Sequence, residues 1–438
     1  MHYFADHQIW RNISGLSIPC VITNITVPLM GMADVAIAGH CGGDATIGAV
    51  AIGTTIFNMI YRCCNFLRMG GTGITAQAYG ARRMDLCALT GLRLLIIGLI
   101  ISIVLFIFGV PIRAISMDIV CGADGPAEQA SAYVSTRWWA IPASISLFAT
   151  AGWFAGLQDT RSPMIASVVG NVVNVVASAI LAINCGLGIT GIAAGTVIAQ
   201  WSNLTISYVI YRRKYAHLMP RVRLSQIFEH EQFWHLMAVN RDIFLRTLCV
   251  TVVFTAFTAF SARYGETALA ANALMMQLFT LFSYVTDGLA FAGESITGGL
   301  IGSGNKAGLR KNIDYLLVGS VGVAAVFSVV FALFWADIFG LFGASDNVIA
   351  YAGEHIGWAL AVPAVCFFAF VADGIMVGAT RSAAMRDSMA LASVLFFVVY
   401  YAMRGLWEVN ALWLAFICYM AARGLLLLRE VIRVRRGD

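Results

Sequence analysis

Charge is scarce in this chain: Asp, Glu, Lys and Arg together supply 12% of its 438 residues. No ordinary soluble domain fits that profile, and the net charge of +5 gives no sign of a nucleic-acid partner. The ten cysteines show no C-x-x-C or comparable ligand spacing, so no metal site is expected. Seven scattered histidines form no convergent cluster with acids or a nucleophile, which argues against an enzyme. The stretch from His230 to His235 resembles a zinc-protease helix, but its histidines are five apart rather than four and leave the common face. The N-terminus has no lysine-rich region and no small-residue cleavage site, so the first apolar run is expected to be retained.

What the chain does have is apolar length. Hydrophobic residues make up 60%, mean hydropathy is +0.80, and there are 42 glycines. At roughly 20 apolar residues per crossing, twelve spans fit: 12–37, 46–70, 88–112, 130–156, 163–184, 188–212, 236–262, 267–300, 312–337, 348–378, 386–403 and 408–429. The eighth and tenth exceed the hydrocarbon thickness and should tilt, bend or protrude.

Alternate loops differ sharply in basic residues. One side collects seventeen, from Arg82 and Arg83 through Arg212, Arg213 and Lys214 to the tail Arg429, Arg433, Arg435 and Arg436. The other holds Arg113, Arg263 and Arg404. This asymmetry predicts that both termini are cytoplasmic and that the tail meets anionic lipid headgroups. Cys41, Cys121 and Cys185 then fall in outer loops, where one disulfide is open to them.

The chain also repeats itself. Residues 47–80 align without gaps on 269–302, an offset of 222, with Ala49/Ala271, Phe57/Phe279, Gly71/Gly293, Thr75/Thr297 and Gly80/Gly302 matched. Gly152 and Gly156 echo in Gly374 and Gly378. Six spans per unit is an even number, so both halves enter the membrane in the same sense. The expected fold is therefore an all-α integral membrane protein of twelve transmembrane helices in two six-helix lobes related by a parallel internal repeat. Its parts are an N-lobe (1–212), a cytoplasmic linker (213–235) and a C-lobe (236–438).

Within the first span, Asp34 is a lone carboxylate behind Pro19 and Pro28. An ionisable group inside a membrane usually faces a cavity and serves an ion or substrate path. Asn24, Asn171, Asn174 and Thr196 can bond such a site or glue helices together, and Asn171 and Asn174 share a helix face. The C-lobe carries Asp242, Asp287, Glu294 and Asp373 with Arg241 and Arg246 nearby in sequence. These form either a structural ion-pair network or a cation or substrate site. Arg62, Arg68 and Arg137 either line the cavity or, for Arg68, snorkel at the cytoplasmic end.

The runs PLMGMADVAIAGH (28–40), LRMGGTGITAQAYG (67–80), GWFAGLQDTRSPM (152–164), NRDIFLRT (240–247) and ADGIMVGATRSAAMRDSM (372–389) resemble the DinF branch of the MATE (multidrug and toxin extrusion) transporters over nearly the whole chain. The resemblance implies a two-lobe antiporter that expels amphipathic, often cationic, organic compounds against inward H⁺ or Na⁺, with no cofactor. Asp34 matches the family's first-helix carboxylate, Pro19 the proline where that helix bends, and Asn174 and Thr196 polar members of the same N-lobe site. Two departures matter: the second acid of the family pattern is Ser178 here, and a fourth-helix Asn is Ala151.

The sequence thus reads as a monomeric, multi-pass bacterial inner-membrane efflux antiporter working by alternating access. Asp34 carries the ion, with Asn171, Asn174, Ser178 and Thr196 around it. A lipid-linked oligosaccharide flippase is the alternative, and it calls for a strongly cationic cavity.

Overall fold

The computed structural model describes residues 7–121, 127–218 and 230–437. Most of the expected linker lies outside the described residues, as does the side chain of Cys121. Cys41 and Cys185 carry free thiols.

Twelve membrane helices can be traced among the described residues. The first is α1 (His7–Cys64) up to Gly43, and the second runs from Gly43 through α2 (Phe66–Gly80). Then come α3 (Met84–Ile107), the short α4 (Gly109–Cys121) after a turn at Phe108, and a fourth crossing built from α5 (Ala127–Arg137), a tight turn and α6 (Ile141–Gly156). The half closes with α7 (Arg161–Ala179) and α8 (Gly188–Lys214). The second half follows as α9 (His230–Ser261), α10 (Glu266–Gly302), α11 (Lys306–Leu341), α12 (Asp346–Gly378), α13 (Ser382–Trp407) and α14 (Val409–Arg436). Apolar windows explain most of these helices, and local chemistry finishes them. Asn305 caps α11 by accepting from the Gly308 amide at 2.8 Å, and α8 ends on Arg212, Arg213 and Lys214, where cations favour the negative helix end.

The chain divides into two compact units, one of Ile22–Leu236 and one of Met237–Asp438 together with Met1–Val21. Inside α1 the single non-helical residue is Gly43, at φ 64°, while Pro19 is buried within helical backbone.

The repeat is visible in the backbone. Left-handed turns occur at Gly43 and Gly265, at Arg82 and Gly304, and at Gln158 and Thr380, each pair 222 residues apart. The turn bonds repeat as well: Arg83 N donates to Ala78 O at 2.9 Å and Asn305 N to Leu300 O at 3.0 Å, both closing the helix end from five residues on. Packing follows the same register. A Cβ at Gly152 would overlap the backbone of Arg68, and one at Gly374 would overlap that of Ala290. Glycine is required there because two helix backbones touch.

Candidate ion-coupling site

The N-terminal unit places its polar side chains on α7 and α8. Asn174 and Ser178 are four apart on one face of α7, and small residues on α8 let the two helices close on each other. A Cβ at Gly195 would collide with Ser178, and one at Gly191 with the backbone at Ala182. Between these helices Asn174 donates its amide to Thr196 Oγ1 at 3.1 Å. Thr196 and Ser178 both donate to the Ile192 carbonyl, at 3.2 and 3.3 Å. All three are buried, and a wide π turn at Ile180–Asn184 follows directly. Two groups remain unsatisfied: Asn174 Oδ1 and the Asn171 amide nitrogen are buried without partners.

Asp34 is 4% exposed, and its Oδ1 also lacks a hydrogen-bond partner. The charged group that acts on it, among the described residues, is the Arg137 guanidinium. Arg137 is itself buried at the end of α5, donating to Tyr133 Oη at 2.8 Å and Thr54 Oγ1 at 3.3 Å and lying 4.8 Å over the Phe57 ring. Of the residues expected to surround Asp34, Asn174, Thr196 and Ser178 are brought together between α7 and α8, while the charge acting on Asp34 is Arg137, which the sequence offered only as a cavity residue. Asn24 has interactions of its own, and Arg62 is exposed.

In the C-terminal unit Asp373 and Asp242 are tied to cations. Asp373 binds both Arg246 and Arg423, all three buried. Asp242 pairs with Arg386 at 2.7 Å and Arg241 at 3.1 Å and accepts from Ser382 at 3.1 Å. Glu294 is buried, and Asp287 acts electrostatically on Arg423. Sequence reasoning missed Arg423. The signal was there: a single arginine inside the apolar run ICYMAARGLLLL of the last span.

A family model described as MatE matches residues 19–180 and 243–402. The chain belongs to the MATE family. This MATE protein is 34% identical over 421 residues to DNA damage-inducible protein F of Escherichia coli (strain K12), covering 96% of this chain and 91% of that one. It is 26% identical over 441 residues to Protein DETOXIFICATION 44, chloroplastic, of Arabidopsis thaliana, covering 95% and 81%. A solved MATE in the bent conformation superposes with a TM-score of 0.87 at 19% identity, covering 97% of this chain and 95% of that one, which shows the shared fold. The twelve-helix architecture expected from sequence is thus that of a MATE multidrug and toxin efflux transporter.

Proposed function

We propose that this transporter is a secondary active antiporter that exports amphipathic, often cationic, organic compounds by alternating access, driven by inward H⁺, with Na⁺ as the runner-up. The observation that carries this reading is Asp34, a buried carboxylate in a membrane helix with one oxygen left unpartnered. Burying such a group is costly, and intramembrane acids serve ion paths. Ser178 stands where relatives of the pattern place a second acid, and its hydroxyl does not titrate near neutral pH, so a single carboxylate and a single proton form the simplest cycle. Asn171, Asn174, Thr196 and Ser178 supply the polar surroundings, and Pro19 gives α1 a place to bend.

The C-lobe acids fit a structural ion network, because Asp373 and Asp242 are each shared by two arginines. In this reading the protein is a monomer of a bacterial inner membrane, and the Lys/Arg asymmetry supports cytoplasmic termini. A cysteine placed at Asp346 should react with an impermeant maleimide from outside the cell, and protection there would reverse the orientation. The family match favours efflux over the flippase alternative.

Purified protein in liposomes tests the coupling. Substrate efflux should follow an imposed pH gradient and be lost in Asp34→Asn while substrate binding persists. Efflux that tracks a Na⁺ gradient and ignores pH replaces the ion, and an active Asp34→Asn protein removes the residue.

A further inference from the structure

Between the first half of α12 and the turn joining α13 to α14, the C-terminal unit holds a cavity of about 530 Å³. Tyr351, His355, Trp358 and Trp407 bring aromatic rings to its lining, and Glu408 and Asn410 bring polar groups. Asn410 fixes two of the rings. Trp358 Nε1, which can only donate, reaches Asn410 Oδ1 at 2.8 Å, and His355 Nδ1 lies 3.0 Å from the same oxygen. An oxygen that accepts from both requires the proton on Nδ1, so the neutral imidazole keeps Nε2 as an acceptor. The Tyr351 ring packs 4.9 Å from that imidazole.

Glu408 is the acid of this lining, and it sits on a backbone that does not favour it. Its φ is 46°, in the left-handed region where glycine is at ease and a long side chain is strained. Counting back 222 residues, the first half has Gly186, at φ 70°. The Glu408 carboxylate makes no cap bond to the α14 amides, so helix capping does not explain its place. The arginines of the neighbouring turns are engaged elsewhere: Arg404 lies 4.9 Å over the Tyr401 ring and Arg263 5.0 Å over Phe260, and neither lines the cavity. An aromatic belt at the membrane boundary accounts for the rings alone. It does not account for an acid held at a strained turn beside them.

We propose that this cavity binds an organic ammonium head, with Tyr351, Trp358 and Trp407 offering ring surface and Glu408 the counter-charge. Aromatic rings and a carboxylate around one space attract such a head through ring quadrupole and charge together, and the volume is that of a small-molecule site. In the orientation proposed above, the turn between α13 and α14 faces outward, so the head belongs to an external solute or to an outer-leaflet lipid. The site does not depend on Asp34 as the coupling group.

Choline tests the chemistry, and its control is the neutral alcohol in which a tert-butyl group replaces the trimethylammonium. Saturation-transfer NMR on the purified protein in maltoside micelles should show choline bound severalfold more tightly than the alcohol. Glu408→Gln should weaken choline about fivefold and leave the alcohol unchanged. Trp407→Leu should weaken choline severalfold. Glu408→Gly should melt no lower than the wild type, since glycine suits the turn, while losing choline as Glu408→Gln does. Asp34→Asn should bind choline as the wild type does. Equal binding of choline and the alcohol overturns the proposal, and so does wild-type choline binding in a folded Glu408→Gln or Glu408→Gly protein. A loss confined to Asp34→Asn places the ammonium elsewhere and overturns it too, with the coupling reading untouched. Mixed micelles separate the two sources. Displacement of choline by phosphatidylcholine and not by phosphatidylglycerol identifies a lipid head, and choline that resists both identifies a solute.

Discussion

Asn174 spends its amide on Thr196 and keeps its carbonyl oxygen, Oδ1, buried without a donor. Thr196 and Ser178 in turn spend their protons on the Ile192 carbonyl. The donors of this cluster run toward the backbone of α8, and what is left at Asn174 is an acceptor. That acceptor suits a cation or a protonated group, while the unpartnered Asn171 amide nitrogen is a donor.

That asymmetry separates function from stability at one residue. Asn174→Leu keeps the side chain's approximate shape and removes an unpaired oxygen, so it should leave the thermal midpoint nearly unchanged while raising the ion concentration for half-maximal efflux severalfold. Thr196→Val does the reverse, stranding the Asn174 amide at a cost of about 1–3 kcal/mol. Ion titration of efflux beside a melting curve checks both, and unchanged loading in a folded Asn174→Leu protein removes Asn174 from the site.

Asp373 makes the opposite case. Replacing it with Asn leaves Arg246 and Arg423 buried around a neutral amide, and breaking a buried pair this way costs about 3–5 kcal/mol. Asp373→Asn should therefore lower the detergent-solubilised yield of folded protein sharply, with Asp287→Asn and Glu294→Gln following in the same direction. The informative quantity is transport per folded molecule. Normal yield with abolished transport would move coupling into the C-lobe.

Outside the membrane, pH should act through Asp159. Burial pushes its carboxyl up, but bonds from Ser162, Tyr215 and Lys214 outweigh it and hold Asp159 below the ordinary carboxylate range. The Tyr215 hydroxyl lies 2.7 Å away and the Lys214 ammonium 3.1 Å. A carboxyl depressed in the folded state adds stability that is complete above its unfolded value, about 3.9, and is lost as pH falls through the folded one. Asp159→Asn should melt lower than wild type at neutral pH, with the gap closing below about pH 4. A gap that is constant across that range would show the cluster contributes by packing alone.

Much of this architecture could be read from the chain because bilayer thickness sets helix length and the repeat sets the register. The alignment of 47–80 on 269–302, echoed by Gly152 and Gly374, revealed two related halves, although the reason for glycine, backbone against backbone, is a contact that only coordinates supply. Asp34 stood out because acids are rare in apolar runs. That the charge of Arg137 acts on it did not, since nothing local links residues on different spans. Arg423 was legible by the same rarity rule that found Asp34. Its role was not, because a charge's meaning depends on which acid it meets, and Asp373 is 50 residues away.

The doubled turns and glycine seats also bear on how the chain is made. A nascent protein whose two halves offer the same docking surface twice, Gly152 for the backbone at Arg68 and Gly374 for the backbone at Ala290, risks seating a helix in the wrong half. The register cannot tell the halves apart, but the charges can. Counting 222 residues on, Asp34 corresponds to Ala256 and Arg137 to Ala359, and counting back, Asp373 corresponds to Ala151 and Arg423 to Trp201. A helix docked in the wrong half would bury an ion opposite alanine or tryptophan. Because a buried charge without its counter-charge is costly, the groups that break the repeat disfavour that exchange of halves.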